Sequence, residues 1–219
     1  MFDEMIKEYL THLLSFSGGK ENSTRGLTEN FYNLSSLFHT DSFSMRELSG
    51  CDENSANYIR LVAALTSRRI TDKFKNGKKY LQNELEEYIV GLFFGLAVET
   101  VYLILLDEDD RLISAEYLGD GTVNASGFLP RKLLDIVLRK NAKKVILAHN
   151  HPCGKTACSK NDIATTYVAK TVLRDAGVAL LNHYIVSGLD IEDCLPSVTA
   201  TGEDSERYLN VSASKAVDN

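Results

Sequence analysis

Residues 143–162, KKVILAHNHPCGKTACSKND, constrain the fold of this chain more than any other stretch. The apolar run in KKVILAH is short and rich in β-branched residues, which predicts a buried strand. Pro152 ends it, because proline has no N–H to give to a ladder. Ser159 and Asp162 then stand in the S-x-x-D pattern of a helix start, and the apolar period of SKNDIATTYVAKTVLRDAG runs on to Gly177. That predicts a helix with Ser159 as N-cap and Gly177 as its stop. VALLNHYIV follows as another strand. Two strands around a capped helix place this part of the chain in the α/β class.

The rest of the chain divides by texture. Residues 1–80 lack proline and read as helices. Phe2, Met5, Ile6, Tyr9, Leu10, Leu13 and Leu14 form one amphipathic stripe. LTENFYNLSSLF and SMRELSG read as short helices, and ANYIRLVAALTSRRI as a longer one whose apolar face is Tyr58, Leu61, Val62, Leu65 and Ile70. From about residue 82, the helix QNELEEYIVGLFFGLAVE gives way to TVYLILLDEDDRLISAEYL, two apolar runs around an acidic turn, which predicts a hairpin. LPRKLLDIVLRKNA opens with Pro130 at a first helical turn. The expected organisation is a helical domain over 1–80, an α/β domain over 81–198 and a polar, disordered tail over 199–219. No apolar run reaches the roughly 20 residues that span a bilayer. The acidic start MFDEMIKEYL does not suit a signal peptide, so the expectation is a cytoplasmic protein with no membrane partner. Cys51, Cys153, Cys158 and Cys194 are then expected to be reduced thiols.

His149 and His151 are two apart at the end of the expected strand, so both imidazoles face one side. Asp162, in the first turn of the next helix, can swing towards the same point. Two histidines and a carboxylate make a three-ligand zinc site with the fourth position open, the catalytic pattern, and zinc lowers the pKa of a water there to about 7. Other readings stay open on residues alone. S-x-x-D is how many helices are capped, and an H-x-H on a strand is often structural. A closed site from His149, His151, Cys153 and Cys158 also has the right ligand types, although three ligands from HNHPC, with a proline among them, strain a tetrahedron.

The string H-N-H-P-x-G followed by S-x-x-D matches the signature H-x-H-x7-S-x2-D, and it resembles the JAMM (MPN+) metalloproteases. Within them it is similar to the RadC branch, whose signature reads H-N-H-P-S-G. The resemblance spans about residues 85 to 190, including ETVYLILLDEDDRLI, GTVNASGFLPRKLLDIVLRKNAKKVILAHNHP and NHYIVSG. It implies a mixed β-sheet flanked by helices, with Zn2+ held by His149, His151 and Asp162. It also implies an upstream glutamate before the first buried strand as general base. Glu99 occupies that place, 50 residues before His149. Glu86 and Glu87 lie in the preceding helix and suit the role less, and Lys132 stands at a second possible position and cannot serve. The implied roles are Glu99 as proton carrier and Ser159 as oxyanion donor. Cys153 replaces the family's serine, and Asn182 replaces the usual aspartate, removing a charge from an expected position behind the ligands. His183 reads as structural, or as a contact behind the ligands or with substrate.

The family's N-terminal part resembles a helix-hairpin-helix DNA-binding unit, and ELSGCDENSANYIRL occupies its place. Gly50 matches the first glycine of that hairpin. Asp52 replaces the second, setting a carboxylate where a phosphate would lie and weakening duplex binding. The basic run RRITDKFKNGKK reads as a solvated helix end and linker, or as a phosphate-contacting patch of Arg68, Arg69, Lys73, Lys75, Lys78 and Lys79. A net charge of −6 opposes a general nucleic-acid coat. Two functional classes follow. The leading one is a zinc hydrolase acting on an amide, peptide or isopeptide bond of a protein substrate. The other is a non-enzymatic module of DNA-repair association, binding DNA or protein around a structural zinc site.

Overall fold

The computed structural model describes residues 2, 4–16, 18, 22–121, 128–152 and 156–195. The expectations for Cys153 and for the tail over 199–219 fall outside these residues.

The N-terminal helices are short and closed by local caps. They are α1 (Glu4–Ser15), α2 (Ser23–Asn30), α3 (Leu34–Phe38), α4 (Ser42–Ser49) and the longer α5 (Glu53–Thr71). Asn33 and Asp41 cap α3 and α4 by accepting from the backbone N–H three residues on. Gly50 ends α4 at φ 66°, in the left-handed region that glycine enters without penalty. These helices share a core of Phe2, Leu10, Leu27, Leu37, Met45 and Ile59.

Two apolar faces differ from the sequence expectation. In α1, Leu10 and Leu14 are buried but Met5 and Tyr9 lie on the surface. In α5 the buried residues are Ser55, Ala56, Ile59 and Ala63, whereas Leu61 and Leu65 are 50% and 60% exposed. The reason is the neighbour. Helix α6 (Gln82–Phe93) presents Gly91, where an added Cβ would stand 2.6 Å from Ile70 Cγ2 of α5. The Ser67 hydroxyl of α5 donates to the Gly91 carbonyl at 2.8 Å. Small residues let the two helices approach this closely, and the bulky leucines are turned outward. Helix α6 stops at Phe93, earlier than its apolar period suggests, and Gly95 follows at φ 80°.

The C-terminal part is a five-stranded mixed sheet in the order β2-β1-β3-β4-β5. Its strands are β1 (Thr100–Leu106), β2 (Leu112–Asp120), β3 (Lys144–Asn150), β4 (Ala179–Ser187) and β5 (Asp190–Asp193). The hairpin β1–β2 is antiparallel, as is β1–β3, whereas β3 and β4 run parallel through the crossover helix α8 (Lys160–Asp175). Helix α7 (Phe128–Arg139) lies between β2 and β3 in the chain. Strand residues divide by parity. Val101, Leu103, Leu105, Val145 and Leu147 pack with Leu133, Val137, Ala169 and Leu173 of α7 and α8. Ile104, Leu106, Ile146, Ala148, Tyr184 and Val186 pack on the other face with Leu85, Ile89 and Phe93 of α6. Burial on both faces explains why β1 and β3 read as unbroken apolar runs.

Strand β5 was not expected: its sequence DIED is polar, and it survives as an edge strand on β4. The expectation of reduced thiols is corrected in one place. Cys158 and Cys194 form a disulfide, their Cα atoms 5.5 Å apart, which ties the segment before α8 to the end of β5. Cys51 is a buried free thiol. Among the described residues no helix is long and apolar enough to cross a membrane.

Candidate metal centre

Strand parity sends His149 towards the α8 side of the sheet, and the chain leaves β3 with His151 N–H donating to the Val186 carbonyl at 2.8 Å. The Nε2 atoms of His149 and His151 are 3.0 Å apart. Helix α8 begins beside them. Ser159 Oγ accepts from Asp162 N–H at 3.2 Å, and Ser159 N–H donates to Asp162 Oδ2 at 2.8 Å, a complete capping box. The other carboxylate oxygen, Oδ1, is 3.2 Å from His149 Nε2, and Oδ2 is 3.8 Å from His151 Nε2. Burial tends to raise the Asp162 carboxyl, but the adjoining His149 imidazole and the bonds with Ser159 outweigh it and hold the group well below the usual carboxylate range.

Glu99 comes from the segment just before β1. One ligand atom each from Glu99, His149 and His151 lies within 4.8 Å of the others, a group able to hold a metal ion. The 3.0–3.8 Å separations among His149, His151 and Asp162 lie near the spacing of about 3.3 Å between ligands held about 2.0–2.1 Å from a tetrahedral zinc. Imidazole nitrogens and carboxylate oxygens also belong to the donor types that zinc takes.

Two residues that sequence reasoning undervalued hold this arrangement. Asn150, between the histidines, is buried and its amide clamps the glutamate segment from both sides. Thr100 N–H donates to Asn150 Oδ1 at 2.8 Å, and Asn150 Nδ2 donates to the Val98 carbonyl at 3.1 Å. The signal was present in the sequence, an amide between two candidate ligands at a strand end, but its partners lie about 50 residues away. His183, on β4, is buried with its Nε2 2.9 Å from His149 Nδ1, and its Nδ1 contacts Thr166 Oγ1. Burial, followed by the nearby His149, pushes His183 below the ordinary histidine range.

The remaining candidates go elsewhere. Asn182 has the opposite parity to His183 and donates to Asp193 Oδ2 at 2.7 Å on the far face, so it does not stand behind the ligands. Glu86 accepts from the Tyr184 hydroxyl at 2.9 Å, and Glu87 pairs with Lys73, both away from the histidines. Lys132 donates to the Leu118 carbonyl. Cys158, bonded to Cys194, offers no thiolate to a closed site with His149 and His151. In the basic run, Arg68 pairs with Asp72 at 2.6 Å, Lys73 with Glu87, and Lys79 with Asp110 at 2.8 Å. Asp52 turns inward as the cap of α5, accepting from Ser55 N–H at 2.9 Å, Ser55 Oγ at 2.8 Å and Ser23 Oγ at 2.9 Å.

The family model described as RadC-like JAB domain matches residues 72–194. Among curated proteins, the UPF0758 protein of Idiomarina loihiensis is 30% identical over 187 residues, covering 84% of each chain. The UPF0758 protein of Fusobacterium nucleatum is 29% identical over 193 residues, covering 84% of this chain and 82% of that one. The matched span contains the glutamate, both histidines and the capped helix. The chain belongs to the RadC-like JAB domain family.

Proposed function

We propose that this chain is a zinc-dependent hydrolase that cleaves an amide, peptide or isopeptide bond in a protein substrate. The observation that carries the reading is the convergence of His149 Nε2, His151 Nε2 and Asp162 Oδ1/Oδ2 at 3.0–3.8 Å, with the Glu99 carboxylate beside the histidine pair. Two imidazole nitrogens and a carboxylate oxygen at these separations are donors of the kinds zinc takes. In this reading His149, His151 and Asp162 hold zinc, which supplies Lewis acidity and brings the pKa of a water to about 7. Glu99 takes the proton of the attacking water and delivers it to the nitrogen of the leaving amine. The Ser159 hydroxyl accepts in the capping box, so its own hydrogen is not consumed there and can be donated to the developing oxyanion. Asn150 holds Glu99 at its post through the backbone on either side of it.

A second reading is favoured by the grouping of Glu99 with both histidines, in which the glutamate is itself a ligand. One substitution separates the two. Glu99→Gln keeps the zinc but lowers hydrolysis about 10²-fold or more if Glu99 is the base. Loss of the zinc in the same variant makes it a ligand instead. Elemental analysis of the full chain should give about one zinc, lost in His149→Ala and His151→Ala and kept in Cys158→Ser. A metal-free protein, or one emptied by the cysteine change, refutes the three-ligand site.

A further inference from the structure

His149 is gripped from behind by a chain of bonds whose direction can be worked out. The Thr166 hydroxyl contacts the Asp162 carbonyl, and a carbonyl only accepts, so the threonine hydrogen is spent there. Thr166 Oγ1 must then accept from His183 Nδ1. A neutral imidazole carries one hydrogen, which leaves His183 Nε2 bare to accept from His149 Nδ1 across 2.9 Å. With its hydrogen on Nδ1, His149 turns a lone pair on Nε2 towards His151 and Asp162. The sequence of bonds ends where it began, because the carbonyl that anchors it belongs to Asp162, whose carboxylate sits on the other side of His149. Thr166 and His183 are 0% and 2% exposed, so water does not compete for these contacts.

We infer that Thr166 and His183 form a positioning relay that fixes the ligating tautomer of His149 and couples it to the backbone of Asp162. This rests on the proposed metal site. It assigns to two buried residues, on α8 and β4, the task of making β3 and α8 present their ligands together. Such partners behind a metal-bound histidine set ring orientation and basicity, and their loss weakens metal binding by about 10–100-fold.

The test is the zinc affinity of the full chain, read by competition with a chromophoric chelator, together with the visible spectrum of the cobalt(II)-substituted protein. His183→Leu should weaken zinc about 10–100-fold and alter the cobalt spectrum. His183→Gln, which can still offer an oxygen to His149 Nδ1, should recover part of the loss. Thr166→Val replaces a hydroxyl with a methyl of the same shape and carries the test if His183→Leu does not fold. Thr166→Ser should restore the affinity that Thr166→Val loses. Unfolding midpoints of the zinc-free variants separate a packing defect from a binding defect. If the original chain binds zinc and these variants bind it equally well, the relay is wrong and the metal site stands. If the original chain binds no zinc, the metal site and the relay fall together.

Discussion

Asn150 gives the sharpest test of how Glu99 is placed. Its side chain is 2% exposed and makes two bonds of opposite sense, accepting from Thr100 N–H at 2.8 Å and donating to the Val98 carbonyl at 3.1 Å. Asn150→Asp keeps the size and the first bond. It replaces the second with a carboxylate oxygen that faces the Val98 carbonyl and finds no donor there, and an acceptor buried at this position without a donor costs about 1–3 kcal/mol, more when it is charged. At about 2–3 kcal/mol the unfolding midpoint of a chain this size should fall by roughly 4–12 °C. The introduced carboxyl is buried against an acceptor, so its pKa is raised in the folded state. The sign follows by linkage: the penalty is full above that raised pKa and shrinks as pH falls through it, where the protonated group can again donate to Val98. Melting the variant and the original chain side by side from about pH 8 to about pH 4 should therefore show the two curves converging in acid. Zinc content should not change, because the amide faces the backbone at Val98 and Thr100, whereas hydrolysis should drop with the loosening of Glu99. A constant gap in midpoint across the pH range, or none at all, refutes the clamp.

His39 is buried, accepts from Gly95 N–H at Nε2 (3.2 Å) and contacts the Ser35 carbonyl at Nδ1 (2.8 Å). Burial lowers its pKa, so the stability it confers is complete above the unfolded value of about 6.5 and is lost as pH falls through the lowered folded one. The thermal midpoint should decline in that direction, less steeply in His39→Gln, and equal slopes would count against it. For DNA, we expect weak duplex binding that vanishes near physiological salt, carried chiefly by Arg69, Lys75 and Lys78, which among the described residues have no carboxylate within ion-pair distance. Asp52→Gly should strengthen that binding while removing a helix cap, a change that costs only about a few tenths of a kcal/mol when glycine is the replacement. Labelled-duplex titrations at several salt concentrations decide this, and tight, salt-resistant binding by the original chain would overturn it.

The strands and helices around the site were legible because each carries a local signal: the apolar runs of β1 and β3, the Ser159 cap and the stop at Gly177. What escaped depends on partners distant in sequence. The buried face of α5 follows Ala56 and Ile59, which join the N-terminal core, and Ala63, which faces Gly95 after α6, and hydrophobicity alone favours the wrong leucines. Strand β5 exists only because β4 offers it an edge. Asn182 seemed to belong with His183 by adjacency, yet adjacent residues on a strand face opposite ways, and it bonds to Asp193. The thiols at Cys158 and Cys194 are 36 residues apart, and a compartment argument does not report their proximity.

The helix cap and the proposed metal site need not be rival explanations of S-x-x-D, because they draw on different oxygens of Asp162. A capping box needs one carboxylate oxygen of Asp162, and Ser159 N–H takes Oδ2. The box fixes the side-chain torsions of Asp162 and aims the second oxygen at His149. An aspartate free to rotate would lose conformational entropy on each encounter with a cation. The cap settles that loss during folding, and it does so at a helix N-terminus, where the macrodipole favours a carboxylate in its charged form. Ser159, itself an exposed residue, is held by the same two bonds. Under the proposed function, a motif common to many helices would acquire chemistry from its place, at the end of a strand whose parity has already turned His149 to the same side.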